Sequence, residues 1–178
     1  NDTLKYMSTP HEGRHDKQNM MSFSTSYAFS ENFILPLSLD EVVHGKCSLI
    51  EKMPGYYDDK FANLRAYMAY MYTHPGKKLI FMGGEFAHFR EWDEATGLDW
   101  MLLDFPMHRK YKEYIRALNH LYKKEKCLSE LECGYDGFCW ISADDSRNSV
   151  YVYRRIDAAG NEVITLLNFS PYLIENYK

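Results

Sequence analysis

The chain has 178 residues, of which 46% are hydrophobic and 26% are charged, and its formal net charge is −4. These values are typical of a globular protein with one domain, or with one domain and part of another. The 21 Lys and Arg residues are scattered, which argues against a nucleic-acid-binding protein. No apolar run approaches the roughly 18 residues of a membrane span, so we expect no membrane partner.

The four cysteines show no C-x-x-C spacing, and no signal peptide precedes them. This favours reduced thiols in a cytoplasmic protein over a disulfide framework. The chain opens on Asn1 without an initiator methionine and enters structured-looking sequence at once. We therefore expect it to be a segment of a longer protein.

The first half predicts a strand, a helix and a second strand. Residues 1–30 are polar, contain breakers and predict one or two short helices. The apolar stretch 33–38 predicts a buried strand, and 39–57 predicts a long loop of the kind that is usually functional. Asp58 and Asp59 predict the N-cap of a helix that ends at Thr73. Its apolar face has helical spacing and comprises Phe61, Leu64, Met68, Met71 and Tyr72.

A second strand is predicted over 78–82, and a helix over 107–126 follows it. The interior face of that helix is predicted to comprise Tyr111, Tyr114, Ile115, Leu118 and Leu121. Alternating strands and helices predict an α/β fold with a parallel sheet. After about residue 130 three strand-like segments, 138–141, 150–153 and 163–167, are separated by turn residues and predict an antiparallel meander. We therefore predict one domain over 1–130 and the start of another over 131–178.

Two acids follow the predicted strands, Asp40 after the first and Glu85 after the second. Because parallel strands end at the same edge of a sheet, these side chains predict a shared acidic cleft. Paired carboxylates suit glycosyl transfer, in which an oxocarbenium-like transition state is flanked by negative charge. Asp40 could equally be a general acid or base, a metal ligand or a loop cap. Glu85 could instead tie down the turn at Gly83 and Gly84.

Other residues near these strand ends are candidates for substrate contact. Glu41 and His44 follow Asp40 in the same loop. Trp92 and Trp100 lie in the acidic loop after the second strand, where they would stack on sugar rings or cover the core. The segment 11–15, HEGRH, matches the zinc motif H-E-x-x-H, but Pro10 and Gly13 oppose the helix that the motif needs. We predict no metal and no cofactor.

Several segments together resemble the bacterial glycogen (1,4-α-glucan) branching enzymes. They are YAFSENFILPLS at 27–38, DEVVHGK at 40–46, KMPG at 52–55, KFANLR at 60–65, PGKKLIFMGGEF at 75–86, REW at 90–92 and LDW at 98–100, with NDTLKYM at 1–7 also similar. The resemblance covers almost the whole chain, and the combination is specific.

The resemblance implies an enzyme of the α-amylase superfamily that cuts an α-1,4-glucan, such as amylose or glycogen, and transfers the chain to a 6-hydroxyl to form an α-1,6 branch. It implies the C-terminal part of a (β/α)8 TIM barrel, with 33–38 as the seventh strand and 78–83 as the eighth. An antiparallel β-sandwich would open near residue 130. A complete barrel of this kind needs ~250 residues.

By position, Asp40 corresponds to the carboxylate that stabilises the transition state in that family. The nucleophile and the general acid would lie in the missing N-terminal part of the same protein, so we expect the isolated chain to be inactive. Leu39 stands where the family has a histidine that hydrogen-bonds the transferred sugar. Its loss predicts about 2–4 kcal/mol less transition-state stabilisation.

Two alternatives remain: a non-catalytic glucan-binding or assembly module, and part of an α-amylase-type hydrolase. The string DEVVHGK favours the branching enzyme over the hydrolase. In all three cases an incomplete barrel would expose strand edges. We therefore predict self-association of the isolated chain, which a monodisperse monomer in light scattering would contradict.

Overall fold

The computed structural model describes residues 2–30 and 34–177, and it opens with short helices. Helix α1 (Asp2–Met7) and helix α2 (Asn19–Ser22) are separated by turns. Strand β1 (Ile34–Leu37) follows, and helix α3 (Tyr57–Thr73) connects it to strand β2 (Lys77–Ile80). The two strands are parallel, with Leu35 opposite Lys78. The predicted strand–helix–strand unit and its α/β class are confirmed, whereas Phe33, the predicted first strand residue, lies outside the described residues. The prediction that this strand is buried was wrong: among its described residues only Leu37 is buried, because β1 pairs with β2 alone in a two-stranded sheet.

Helix α3 begins one residue earlier than the acid pair that was predicted to cap it. Its N-cap is Tyr56, so Asp58 and Asp59 lie in the first turn and the prediction was wrong. Asp59 still satisfies a helix-end donor, because its carboxylate accepts a 3.0 Å hydrogen bond from the Tyr56 N–H. All members of the predicted apolar face are buried (Phe61, Leu64, Met68, Met71 and Tyr72).

Helix α4 (Pro106–Lys124) begins with proline in its first turn, where the missing N–H has no helical partner to lose. Tyr111, Ile115 and Leu118 are buried as predicted. Leu121 is 38% exposed, which contradicts the prediction. Tyr122 takes the inward position in that turn, with its hydroxyl 3.1 Å from the Glu132 carboxylate.

The last third of the chain forms the predicted antiparallel meander. Strands β3 (Phe138–Asp145), β4 (Val150–Ile156) and β5 (Glu162–Asn168) lie side by side in that order. Strand β3 extends through Asp144 and Asp145, two residues that we had predicted in a turn. The connection is therefore shorter than expected, and Ser149, directly before β4, adopts a left-handed conformation with φ 54°.

A continuous buried core joins the helices to the meander, with α3 between them. The side chain of Arg155 on β4 is fully buried and donates to two carbonyls, 2.9 Å to Thr73 and 3.1 Å to Gly137. Tyr153 places its hydroxyl 2.5 Å from the Thr73 hydroxyl. The guanidinium therefore satisfies a carbonyl at the C-terminal end of α3, where positive charge is favourable. In the described part of the chain, none of the helices combines the length and the apolar composition that a membrane span needs.

We expect Arg155→Met to destabilise the protein by about 2–4 kcal/mol, because it leaves two buried carbonyls without their charged donor while keeping most of the side-chain volume. Urea denaturation followed by circular dichroism measures this loss in the free energy of unfolding.

The matched control is Arg154→Met, one residue earlier on the same strand. Arg154 is partly exposed and pairs with Glu162 at 2.9 Å, so its loss should cost about 0–1 kcal/mol. Equal losses for the two variants would contradict the role assigned to Arg155.

Candidate active site

Asp40 lies at the carboxyl end of β1, in a single 3₁₀ turn formed by Leu39–Glu41. Two backbone bonds close this turn, from the Glu41 N–H to Ser38 at 3.1 Å and from the Val42 N–H to Leu39 at 2.9 Å. Asp40 is exposed, whereas Leu39 and Glu41 are half-buried. Within residues 2–30 and 34–177 the Asp40 carboxylate has no hydrogen-bond or ion-pair partner. It is therefore available to an external ligand.

The loop that leaves β2 is held by its own side chains. Arg90 makes a bidentate contact with Asp99, at 2.6 and 2.7 Å, and also donates to the Gly97 carbonyl at 3.0 Å. The ring of His88 accepts a 3.0 Å bond from the Asp99 N–H. The Arg90 guanidinium lowers the pKa of the Asp99 carboxyl below its ordinary value. This loop thus has a defined shape at the same edge of the sheet as Asp40.

The two loops are joined directly. Glu91 accepts hydrogen bonds from the backbone N–H groups of Gly45, at 2.9 Å, and Cys47, at 2.5 Å. The Trp92 N–H donates to the Val42 carbonyl at 2.9 Å, and the exposed His44 ring lies 3.9 Å from the Glu94 carboxylate. The sequence correctly predicted that the two strand ends are neighbours. It did not predict a role for Glu91, which we noted only as part of the REW segment at 90–92.

The predicted aromatic residues occupy different surroundings. Trp92 is half-buried, with its ring edge-to-face against Phe81 at 6.1 Å. It lines a cleft of about 280 Å³ together with His88, Glu91 and Leu98. Trp100 is 56% exposed and stacks on Phe86 at 5.1 Å. Both rings are therefore partly open to an external ligand.

The side chain of Glu85 is hydrogen-bonded within its own turn and lines a cavity beside the helices. Its carboxylate accepts a 2.9 Å bond from the Gly83 N–H. The cavity beside it is lined by side chains of β2, α3 and α4, namely Lys78, Ile80, Tyr72, Ile115 and Asn119. These contacts agree with the alternative interpretation, in which the Glu85 carboxylate stabilises the turn at Gly83 and Gly84. The shared acidic cleft with Asp40 stays a prediction.

The zinc-like segment 11–15 does not form one helix. His11–Gly13 and His15–Lys17 are separate 3₁₀ turns. Arg14 between them is buried and donates to carbonyls, at 2.7 Å to Phe169 and 3.0 Å to Met7. Across the described ranges no group of three His, Cys, Asp or Glu side chains is arranged to hold a metal ion.

The chain is similar over its whole length to bacterial enzymes of one kind. It is 51% identical over 179 residues to the 1,4-alpha-glucan branching enzyme GlgB of Halothermothrix orenii and to that of Aquifex aeolicus, covering 100% of this chain and 28% of each relative. It is 49% identical over 177 residues to the Pseudomonas putida enzyme of the same name, covering 99% of this chain and 24% of that relative. The chain thus spans about a quarter of the length of the curated relatives it matches. No family model matches it.

We expect Arg90→Met to raise the pKa of Asp99 toward its ordinary value, because the substitution removes the bidentate donor. NMR titration of the carboxyl carbon measures the shift. Since the folded-state pKa is lowered, Asp99 contributes stability above its unfolded pKa and loses that contribution as the pH falls through the folded pKa.

Asp157 provides an internal reference in the same spectra. Its pKa is lowered by hydrogen bonds from Asn161 and is expected to be the same in both proteins. An unchanged pKa of Asp99 in Arg90→Met would contradict the conclusion that Arg90 is the main cause of the lowered pKa.

Proposed function

We propose that this chain, which belongs to the family of 1,4-alpha-glucan branching enzymes, supplies one part of a glucan-transfer site whose remainder lies elsewhere in the same protein. The observation that carries the proposal is the identity of 49–51% to such enzymes along essentially all of this chain. The carboxylate of Asp40, which is exposed at a strand end and has no partner among the residues that the structure describes, agrees with it.

The architecture that we propose is the end of a (β/α)8 barrel over residues 1–130, followed by the start of an all-β domain over 131–178. In this arrangement β1 with α3 and β2 with α4 are the last two strand–helix units. Parallel sheets normally bury both faces, yet Ile34 is 56% and Leu79 is 40% exposed on one face of this pair. Additional strands would cover that face, and the remaining part of the protein is therefore a partner of this chain.

The outer face of the meander supports the same view of the second domain. Ile141, Ile164 and Leu166 are each more than half exposed there. A three-stranded sheet with one bare apolar face is small for an independent unit. A second sheet packed on this face would complete a β-sandwich.

The reaction that we propose is cleavage of an α-1,4-glucan and transfer of the released chain to a 6-hydroxyl, in glycogen synthesis in the cytoplasm. Asp40 would stabilise the positively charged, oxocarbenium-like transition state with its ionised carboxylate. The nucleophile and the general acid would come from the other part of the protein. The isolated chain would then have no branching activity.

The residues around Asp40 would bind the glucan. Glu41 and His44 lie on the same loop, and Trp92 lines the neighbouring cleft. Leu39 cannot donate a hydrogen bond to a sugar, so this site would lack a contact that the family usually makes. Glu85 would contribute to substrate binding only by giving up the hydrogen bond that its carboxylate accepts from the Gly83 N–H.

A non-catalytic glucan-binding role is the second candidate. The observation in its favour is the exposed ring of Trp100, held flat against Phe86 with an interplanar angle of 28°. Retarded migration of the isolated chain in a native gel that contains glycogen would support this role, and unchanged mobility would exclude it.

We expect Asp40→Asn, in the complete enzyme that contains this chain, to lower kcat for amylose branching by about 10²-fold or more, because it removes a preorganised charge from the transition state. The decrease in iodine staining of amylose measures the rate. Leu39→His in the same assay is expected to raise kcat, because it restores a donor to the transferred sugar.

Asp144→Asn on β3 is the matched control and should leave the rate unchanged, since that carboxylate is exposed in the meander. Branching by the isolated 178-residue chain, or full activity of Asp40→Asn, would contradict the proposed function.

A further inference from the structure

The segment 39–47, here called the Asp40 loop, has a backbone shape that presents two N–H groups to one anion. Gly45 and Cys47 both have positive φ, 79° and 62°. Alternation of left- and right-handed residues turns successive N–H groups toward a common point, where an anion binds. Cysteine rarely adopts this conformation, so the surrounding contacts must stabilise it.

Glu91 from the neighbouring loop fills that position. One carboxylate oxygen accepts from Gly45 and the other from Cys47, so both oxygens are used. These two donors lower the pKa of the Glu91 carboxyl, the bond from Cys47 having the larger effect. The carboxylate is therefore ionised at neutral pH. The adjacent bond from the Trp92 N–H to Val42 makes a second tie between the same two loops.

The Glu91 contact is linked to Asp40 through a single residue. Lys46 lies between the two bonded amides, and its ammonium donates a 2.7 Å bond to the Asp40 carbonyl. Lys52 adds a 2.9 Å bond to the Cys47 carbonyl. When the backbone at 45–47 is fixed, the Cα atom of Lys46 is fixed as well. The Lys46 side chain then stabilises the 3₁₀ turn that carries Asp40.

We propose that Glu91 is a positioning residue for Asp40: by capping the Gly45 and Cys47 amides it holds the Asp40 loop in the geometry that presents the Asp40 carboxylate. This role rests on the proposed function only in assigning a catalytic task to Asp40. Glu91 makes no contact with substrate in this role. Its effect on the rate would come from the orientation of Asp40, because a small displacement of a reacting group lowers the rate strongly.

Hydrogen exchange of the complete enzyme that contains this chain, measured by mass spectrometry with fragmentation to single residues, tests the structural part without any glucan. In Glu91→Ala the Gly45 and Cys47 amides should exchange at least about 10-fold faster, an opening that is about 1.4 kcal/mol easier. The same variant should accelerate the Glu41 and Val42 amides, whose bonds close the Asp40 turn. Glu91→Gln retains one acceptor oxygen and should give intermediate rates.

The matched control is Glu113→Gln on α4, an exposed glutamate paired with Arg116 at 3.4 Å, which should change none of these rates. Unchanged exchange in α3 confirms that each variant is folded. Glu91→Ala could accelerate exchange of the Gly45 and Cys47 amides but leave exchange of the Glu41 and Val42 amides unchanged. The effect would then be confined to the two amides that Glu91 contacts, and the proposal would be overturned.

Kinetics of the complete enzyme provide the functional arm. Glu91→Ala should lower kcat about 10-fold with little change in KM, and Glu91→Gln should recover part of the loss. Full kcat in Glu91→Ala would overturn the positioning role while leaving the proposed function intact. A wild-type enzyme without branching activity would refute the proposed function, whereas the exchange rates would still decide whether Glu91 holds the Asp40 turn.

Discussion

The parallel pairing of β1 and β2 is the constraint on which the rest of the structure depends. Two parallel strands cannot be joined by a tight turn, so a crossover is required, and α3 provides it. The helix is held in place because its apolar face is buried against the sheet and α4. Since both strands run in the same direction, the loops that follow them leave from one edge. The loops that carry Asp40, Glu91 and Trp92 are therefore neighbours at this edge.

The opposite end of the same helix holds the meander. Thr73, the last residue of α3, offers its carbonyl to Arg155 and its hydroxyl to Tyr153. Helix α3 therefore contacts both parts of the chain, and the buried core passes through it without interruption. Loosening this junction would shift α3 relative to the meander. The shift would affect the Asp40 loop only through the packing of α3 against the sheet.

Much of the architecture was predictable because it follows from local patterns. Helical spacing identified the buried face of α3, and an acid directly after an apolar run correctly predicted that Asp40 follows β1. Glu91 could not be found in this way. Its partners are backbone N–H groups, and they become available only because Cys47 adopts a conformation that its residue type does not favour. For Glu85 the sequence left two interpretations open, and the observed bond from the Gly83 N–H agrees with the one in which this carboxylate stabilises the turn.

We propose that Asp40 contributes one carboxylate to a transfer site that another part of the protein completes. The most direct measurement is branching of amylose after this chain is mixed with the separately produced remainder of the enzyme. Activity in the mixture, absent from either part alone and absent when the chain carries Asp40→Asn, is the predicted result. Equal activity of the remainder with and without this chain would contradict the claim.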